Sequence, residues 1–108
     1  MRVLFDNGTP KGVGAALTDH VVEEARAHGW DTLRNGERLD AAEAAGFDVF
    51  MTTDRNLRYQ QNLAVRKIAI IDLGSGRWRL IKNRLPAVGA AVAAATPGSF
   101  AEIEIPID

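Results

Sequence analysis

Three short stretches of this chain are apolar at consecutive positions: Val3-Leu4-Phe5, Val49-Phe50-Met51 and Ile68-Ala69-Ile70-Ile71. A strand that is apolar on both faces must be covered on both, the pattern of a parallel sheet flanked by helices rather than of a sheet with one wet face. This restricts the fold to an α/β domain with helices on both sides of the sheet.

The segments between the runs alternate in kind. Asn7-Gly8-Thr9-Pro10 is a turn that can start a helix running to about Leu17. His20 to Glu23 reads as a short strand, and Ala25 to Trp30 has no clear assignment. Asn35 is a reasonable N-cap for a helix from Gly36 to Ala45 that Gly46 ends, with Leu39, Ala42 and Ala45 on its buried face. Asp54 to Asn62 is polar with room for one helical turn, and Lys67 to Leu73 is the fourth strand. Ile81, Leu85, Val88, Val92 and Ala95 form one helical stripe, with Pro86 in its first turn or at a kink and Pro97-Gly98 at its end. From Phe100 to Ile107 apolar residues alternate with Glu102 and Glu104, so the last strand has a wet face and belongs at an edge, where Pro106 discourages further pairing. The reading is one doubly wound domain over residues 1 to 108.

Composition removes several classes of function. The chain has 108 residues and no cysteine, which excludes disulfides and thiolate metal sites and fits a reducing compartment. Met1-Arg2 leads straight into the first strand, leaving no room for a signal peptide, and no apolar stretch is long enough to cross a bilayer. The expected setting is cytoplasmic, without membrane contact. The formal net charge is -1, but residues 55 to 84 carry eight basic residues and one acid, net +7, against -8 for the remainder. Such segregation suits a polyanion-binding face; the alternative is that neighbours in space cancel these charges.

Val3-Leu4-Phe5 and Val49-Phe50-Met51 each lead into a polar cluster containing an aspartate, Asp6-Asn7 and Thr52-Thr53-Asp54-Arg55-Asn56, and ligands of open parallel sheets bind outside the carboxyl ends of the strands. If the two strands are neighbours where the connections diverge, both carboxylates face one crevice. Glu37, in the first turn of the helix leading to the third strand, is the best candidate for a third. Carboxylates brought together repel by roughly 4 kcal/mol per close pair at an effective dielectric near 20, a cost that a divalent cation removes. Oxygen-only ligands suit magnesium or manganese. Asp72 is either a fourth carboxylate or a turn residue. Each acid also has a structural role open to it: Asp6 and Asp54 can cap turns, and Glu37 favours a helix N-terminus through the dipole. His20 and His28 are too few for a zinc site, Ser75 and Ser99 lack a nucleophile elbow, and Gly12-Val13-Gly14 lacks the lysine of a phosphate loop. Tyr59 and Trp78 could stack on bases or simply pack. A receiver-like phosphoacceptor would need a second acid where Asn7 stands and a hydroxyl where Asp72 stands.

Residues 3 to 10 (VLFDNGTP), the Asn35-Gly36-Glu37 helix start and residues 49 to 57 (VFMTTDRNL) resemble the PIN-like family DUF5615, related to the Mut7-C PIN-like group, over roughly residues 1 to 75. The resemblance implies a PIN-like three-layer α/β/α domain with a mostly parallel central sheet and a C-terminal edge strand. It further implies a bacterial metal-dependent ribonuclease in which Asp6, Glu37 and Asp54 hold magnesium or manganese and act in catalysis. Asn7, Arg55, Asn56 and Arg58 would bind the RNA substrate. Many bacterial members are toxins of toxin-antitoxin pairs, so an antitoxin protein is an expected partner, and a homodimer is compatible with the reading. Asn7 stands where relatives often carry a further acid. A catalytically degenerate member that binds RNA or a protein without cleavage is therefore the alternative.

Overall fold

The computed structural model describes residues 1–60 and 62–105 and, within them, every side chain except those of Arg58, Gln60 and Ala64. The expectations for Pro106 and Ile107 lie outside the described residues. Five strands form one sheet in the order β2-β1-β3-β4-β5: β1 (Arg2–Phe5), β2 (Val21–Glu24), β3 (Val49–Thr52), β4 (Ala69–Asp72) and β5 (Phe100–Glu102). All four pairings are parallel, so the sheet is wholly rather than mostly parallel, with β2 and β5 at its edges.

Alternate residues of the apolar runs feed two cores. Val3, Phe5, Val49, Met51, Ala69 and Ile71 face one side and pack against Val13 and Leu17 from the first connection. They also meet α3 (Trp78–Ile81) and α4 (Leu85–Ala94) through Ile81, Val88 and Val92. Leu4, Phe50 and Ile70 face the other side, against Leu39 and Ala42 of α1 (Asn35–Ala44), Leu57 of α2 (Leu57–Gln60), Ala25 and Phe47. Each β3 and β4 residue is buried, as strands covered on both faces require. Among the described residues no helix is long and apolar enough to cross a membrane.

Some elements differ from their expected form. Residues 11–16 make a 3-10 turn rather than an α-helix, because Gly12 and Gly14 fall inside a six-residue stretch and weaken helix propagation. The helix starts one residue early, at Asn35, with Arg34 as N-cap, and ends at Ala44. The predicted last helix is divided: α3, a 3-10 turn at Lys82–Arg84, then α4 with Pro86 in its first turn, where the missing N–H costs nothing.

The connections fix where a site can form. The chain steps from β1 outward to β2 over the face covered by the 3-10 turn. It then returns past β1 to β3 over the opposite face, beneath α1, and continues to β4 through α2. These three connections share one hand. The step from β4 to β5 runs in the direction of β3 to β4 but over the other face, through α3 and α4, and so has the opposite hand. Parallel crossovers are right-handed in about 98 % of cases, which makes this last connection the exception. The divergence point lies between β1 and β3, and the crevice outside their carboxyl ends is the place where such sheets bind ligands.

Candidate functional site

β1 runs directly into Asp6, and β3 ends at Thr52 with Asp54 two residues on. Pairing of Phe5 with Met51, Ile71 and Ala101 across the sheet puts the next residues, Asp6, Thr52, Asp72 and Glu102, in a row along its carboxyl edge. Register-matched residues of a parallel sheet share a face, so these four side chains project to the side covered by α1 and α2. The row is closed at one end by hydrogen bonds: Asp6 N–H donates to the Met51 carbonyl (2.8 Å), and Thr52 Oγ1 donates to Asp6 Oδ2 (2.9 Å).

Asp6 is buried, and Arg38 of α1 meets its other oxygen at 2.7 Å. Arg38 is itself buried and its donors are fully engaged. Nε donates to the Trp30 carbonyl (2.9 Å), Nη1 also reaches Asn35 Oδ1 (3.3 Å), and Nη2 donates to the carbonyls of Asp31 (3.1 Å) and Leu33 (2.7 Å). One guanidinium thus ties the loop before α1 to the end of β1. Its fork geometry allows several acceptors to be satisfied at once.

Asp54 joins the same network. Its N–H donates to Thr52 Oγ1 (3.1 Å), and its carboxylate accepts from Asn35 Nδ2 (3.1 Å) and from the Asn56 N–H (2.9 Å). Asp6 and Asp54 therefore share Thr52 on one side and the Asn35–Arg38 pair on the other. Glu37 lies elsewhere: it is exposed and its Oε1 accepts the Arg34 N–H (3.1 Å), the helix-capping role open to a first-turn glutamate. Among the described residues no three acidic or histidine side chains are grouped to hold a metal ion. As arranged, Asp6, Glu37 and Asp54 do not fit a three-carboxylate cage, since Asp6 already has a cation against it and Glu37 closes its own helix.

Asp72 is buried at the centre of the row. Oδ1 accepts the Gly74 N–H (2.8 Å), whereas Oδ2 is buried without a hydrogen-bond partner. Burial raises its pKa above the ordinary aspartate value; nearby Glu102 and Asp54 push the same way, while the Gly74 N–H and Arg55 oppose them. Its bond from the Gly74 N–H gives it the turn role open to it in the sequence. A buried, unpartnered carboxyl oxygen costs free energy unless it is protonated or meets a ligand.

The remaining candidates sit around this edge. Asn7 Nδ2 donates to the Asp31 carbonyl (2.9 Å), and exposed Arg55 donates through Nε to the Gly74 carbonyl (3.1 Å). Asn56 contributes its backbone N–H to Asp54, and the Arg58 side chain lies outside the described residues. The basic segment does not act as one face. Arg66 is bound by Asp40 (2.5 Å) and Glu43 (2.8 Å), and Lys67 precedes β4 at the opposite end of the sheet. Arg55 and Arg84 line a 440 Å³ cleft with Glu102 and Glu104 at the carboxyl ends of β4 and β5. A second cleft, of 310 Å³, lies beside β1 and β2 and is lined by Asp6, Asn7, Lys11, Glu24, Arg26 and Trp78, among others.

Arg38, Asn35 and Thr52 are site residues that the sequence reading missed. A signal for Arg38 exists: it stands four residues before buried Ala42, so a charge occupies the apolar face of an amphipathic helix, where it needs a buried partner. Compared with protein-family models, with curated proteins and with solved structures, the chain gives no match.

Proposed function

We propose that this chain is a PIN-like domain that holds RNA at the carboxyl end of its sheet, in the form that binds the strand without cutting it. Support for the placement comes from the topology, which sets Asp6 and Asp54 at the divergence point between β1 and β3 with Arg55 beside them. The choice of binding over cleavage rests on one observation, the buried Arg38–Asp6 pair at 2.7 Å. A guanidinium already neutralises the carboxylate that a metal-dependent ribonuclease would need for its ion.

Metal-dependent cleavage of RNA, with magnesium or manganese held by Asp6, Glu37 and Asp54, is the second reading. Asp72 favours it, because an unpartnered buried oxygen close enough to Asp54 to feel its charge is a ready donor for a cation.

The test is a gel assay of RNA binding and cleavage with magnesium and with manganese, on the native chain and on Asp6→Asn and Asp54→Asn. Binding without metal-stimulated cleavage is the expected result. Metal-stimulated cleavage that both substitutions abolish would establish the ribonuclease instead. An antitoxin-type protein would compete for the same edge, so co-expression with the product of an adjacent gene should block RNA binding if the chain works in such a pair.

A further inference from the structure

We infer that the cleft beside β1 and β2 is a single-nucleotide pocket in which Trp78 stacks on a base while Lys11 and Arg26 hold the adjoining phosphodiester. The inference rests on the reading that RNA is the ligand and adds to it a subsite on residues distinct from the carboxylate row.

The first support is the setting of Trp78. Its side chain opens α3, after the loop that leaves β4, yet it lines a cleft at the end of β1. Close approach of two loops makes this possible: a Cβ on Gly76 would stand 3.3 Å from the Gly8 carbonyl oxygen, so the β4 loop lies directly on the β1 loop. The indole then rests on the backbone of Gly12. A Cβ there would fall 2.5 Å from Cη2 and 2.8 Å from both Cζ2 and Cζ3. Three neighbouring ring atoms at nearly equal distance mean that Gly12 meets the face of the six-membered ring, not its edge. One face is thus supported by backbone, and the residue as a whole remains 40 % exposed. Tryptophan with a supported face and this much open surface is a stacking platform of the kind single-stranded nucleic acids use.

Charge supplies the second support. Lys11 and Arg26 are exposed, line the cleft, and among the described residues make no side-chain hydrogen bond or ion pair. Asp6, which also lines it, is cancelled by Arg38, leaving Glu24 as the one further acid. Two cations against one uncancelled anion leave a single positive charge, which matches one phosphodiester rather than a polyphosphate. The volume of 310 Å³ lies at the small end of the range of ligand pockets and suits one nucleotide.

The experiment titrates the full chain with a fluorescein-labelled single-stranded hexaribonucleotide of adenosine, read by anisotropy, and with AMP, read by the Trp78 indole N–H resonance. Trp78→Ala should weaken hexamer binding by about 5- to 150-fold, the range that loss of one base–aromatic stack spans. Trp78→Phe should keep most of the affinity and serves as the folded control. Gly12→Ala, whose new methyl displaces the indole, should reproduce the loss with the ring still present. The exposed pair Lys11→Gln/Arg26→Gln should reduce the slope of log affinity against log salt by about 0.7, the value of one phosphate contact on a single strand. If the native chain binds the hexamer and these variants bind it equally well, the pocket is refuted and the RNA reading stands. If the hexamer does not bind while AMP shifts the Trp78 resonance, the pocket stands and the RNA reading falls. Failure of both probes overturns both.

Discussion

Replacing Arg38 by methionine tests whether the buried pair organises the site. Methionine keeps most of the volume of the side chain and removes only the guanidinium. Asp6 would retain its bond from Thr52 but lose the charge at 2.7 Å, and the Trp30, Asp31 and Leu33 carbonyls would lose their donor. Removing one partner of a buried ion pair costs about 3–5 kcal/mol. The three carbonyls belong to half-buried residues that water can reach, which points to the lower end, about 3 kcal/mol. For a domain near 100 residues this corresponds to a fall in Tm of roughly 12–25 °C. Asp6→Asn should cost less, because Arg38 keeps Asn35 and three carbonyls as acceptors when the carboxylate is gone. In the double variant no charge is left stranded at this position, so its cost should fall short of the sum by about 1–3 kcal/mol. Urea denaturation of the four proteins measures all of this. Single costs below about 1 kcal/mol, adding without coupling, would show that the pair is not what holds β1 to the loop before α1.

Glu37→Ala should destabilise by only about 0.5–1 kcal/mol through the lost cap and leave manganese affinity, followed by calorimetry, unchanged; a large loss of metal binding would contradict the capping role. Asp72 carries a raised pKa, so its ionised form weighs against the fold. Below the ordinary aspartate value of 3.8 both states are protonated and the cost vanishes. As pH rises through that value the unfolded chain ionises first, and stability is lost until the folded pKa is reached. Asp72→Asn should therefore flatten this decline in urea melts at pH 3 to 7, and an unchanged profile would refute the assignment. Gly98→Ala should cost about 1–3 kcal/mol by thermal melting, because its φ of 77° disfavours a side chain and the added Cβ would stand 2.8 Å from the Arg66 carbonyl oxygen.

The central strands were legible because burial on both faces leaves no polar position before their carboxyl-end residues: Val49 to Met51 and the run from Ile68 to Ile71 could be read from residue type alone. Whether Asp6 and Asp54 come together depends on strand order, which composition does not encode, and the observed β1–β3 adjacency supplies it. The sequence leaves Glu37 open between metal ligand and helix-start residue, because a first-turn glutamate looks the same whether it faces a cation or its own helix. The local bond to the Arg34 N–H forms with an entropy cost far below that of assembling a remote site. The row of Asp6, Thr52, Asp72 and Glu102 was invisible for a different reason. It is a property of register, and these residues lie 46, 20 and 30 positions apart along the chain.

That row also decides where a phosphate can go. Asp72 and Glu102 stand on adjacent strands about 4.8 Å apart, with Asp54 close by, and the donors of Arg38 are all engaged by Asp6, Asn35 and three carbonyls. At that spacing two ionised carboxylates repel by about 3.5 kcal/mol for an effective dielectric near 20, and a phosphodiester placed over the row would meet the same repulsion. The unengaged or outward cations stand at its two ends: Lys11 and Arg26 beyond β1 and β2, Arg55 and Arg84 beyond β4 and β5. A strand bound across the carboxyl edge must then seat its phosphates at the ends and present sugar or base to the acids between. Lys11 and Arg26 line the cleft at the β1–β2 end, and Arg55 and Arg84 the cleft at the β4–β5 end. A phosphate could move to the centre only if a cation from solution cancelled Asp54, Asp72 and Glu102. Metal-dependent cleavage, if it occurs, should therefore depend on Asp72 more than on Glu37.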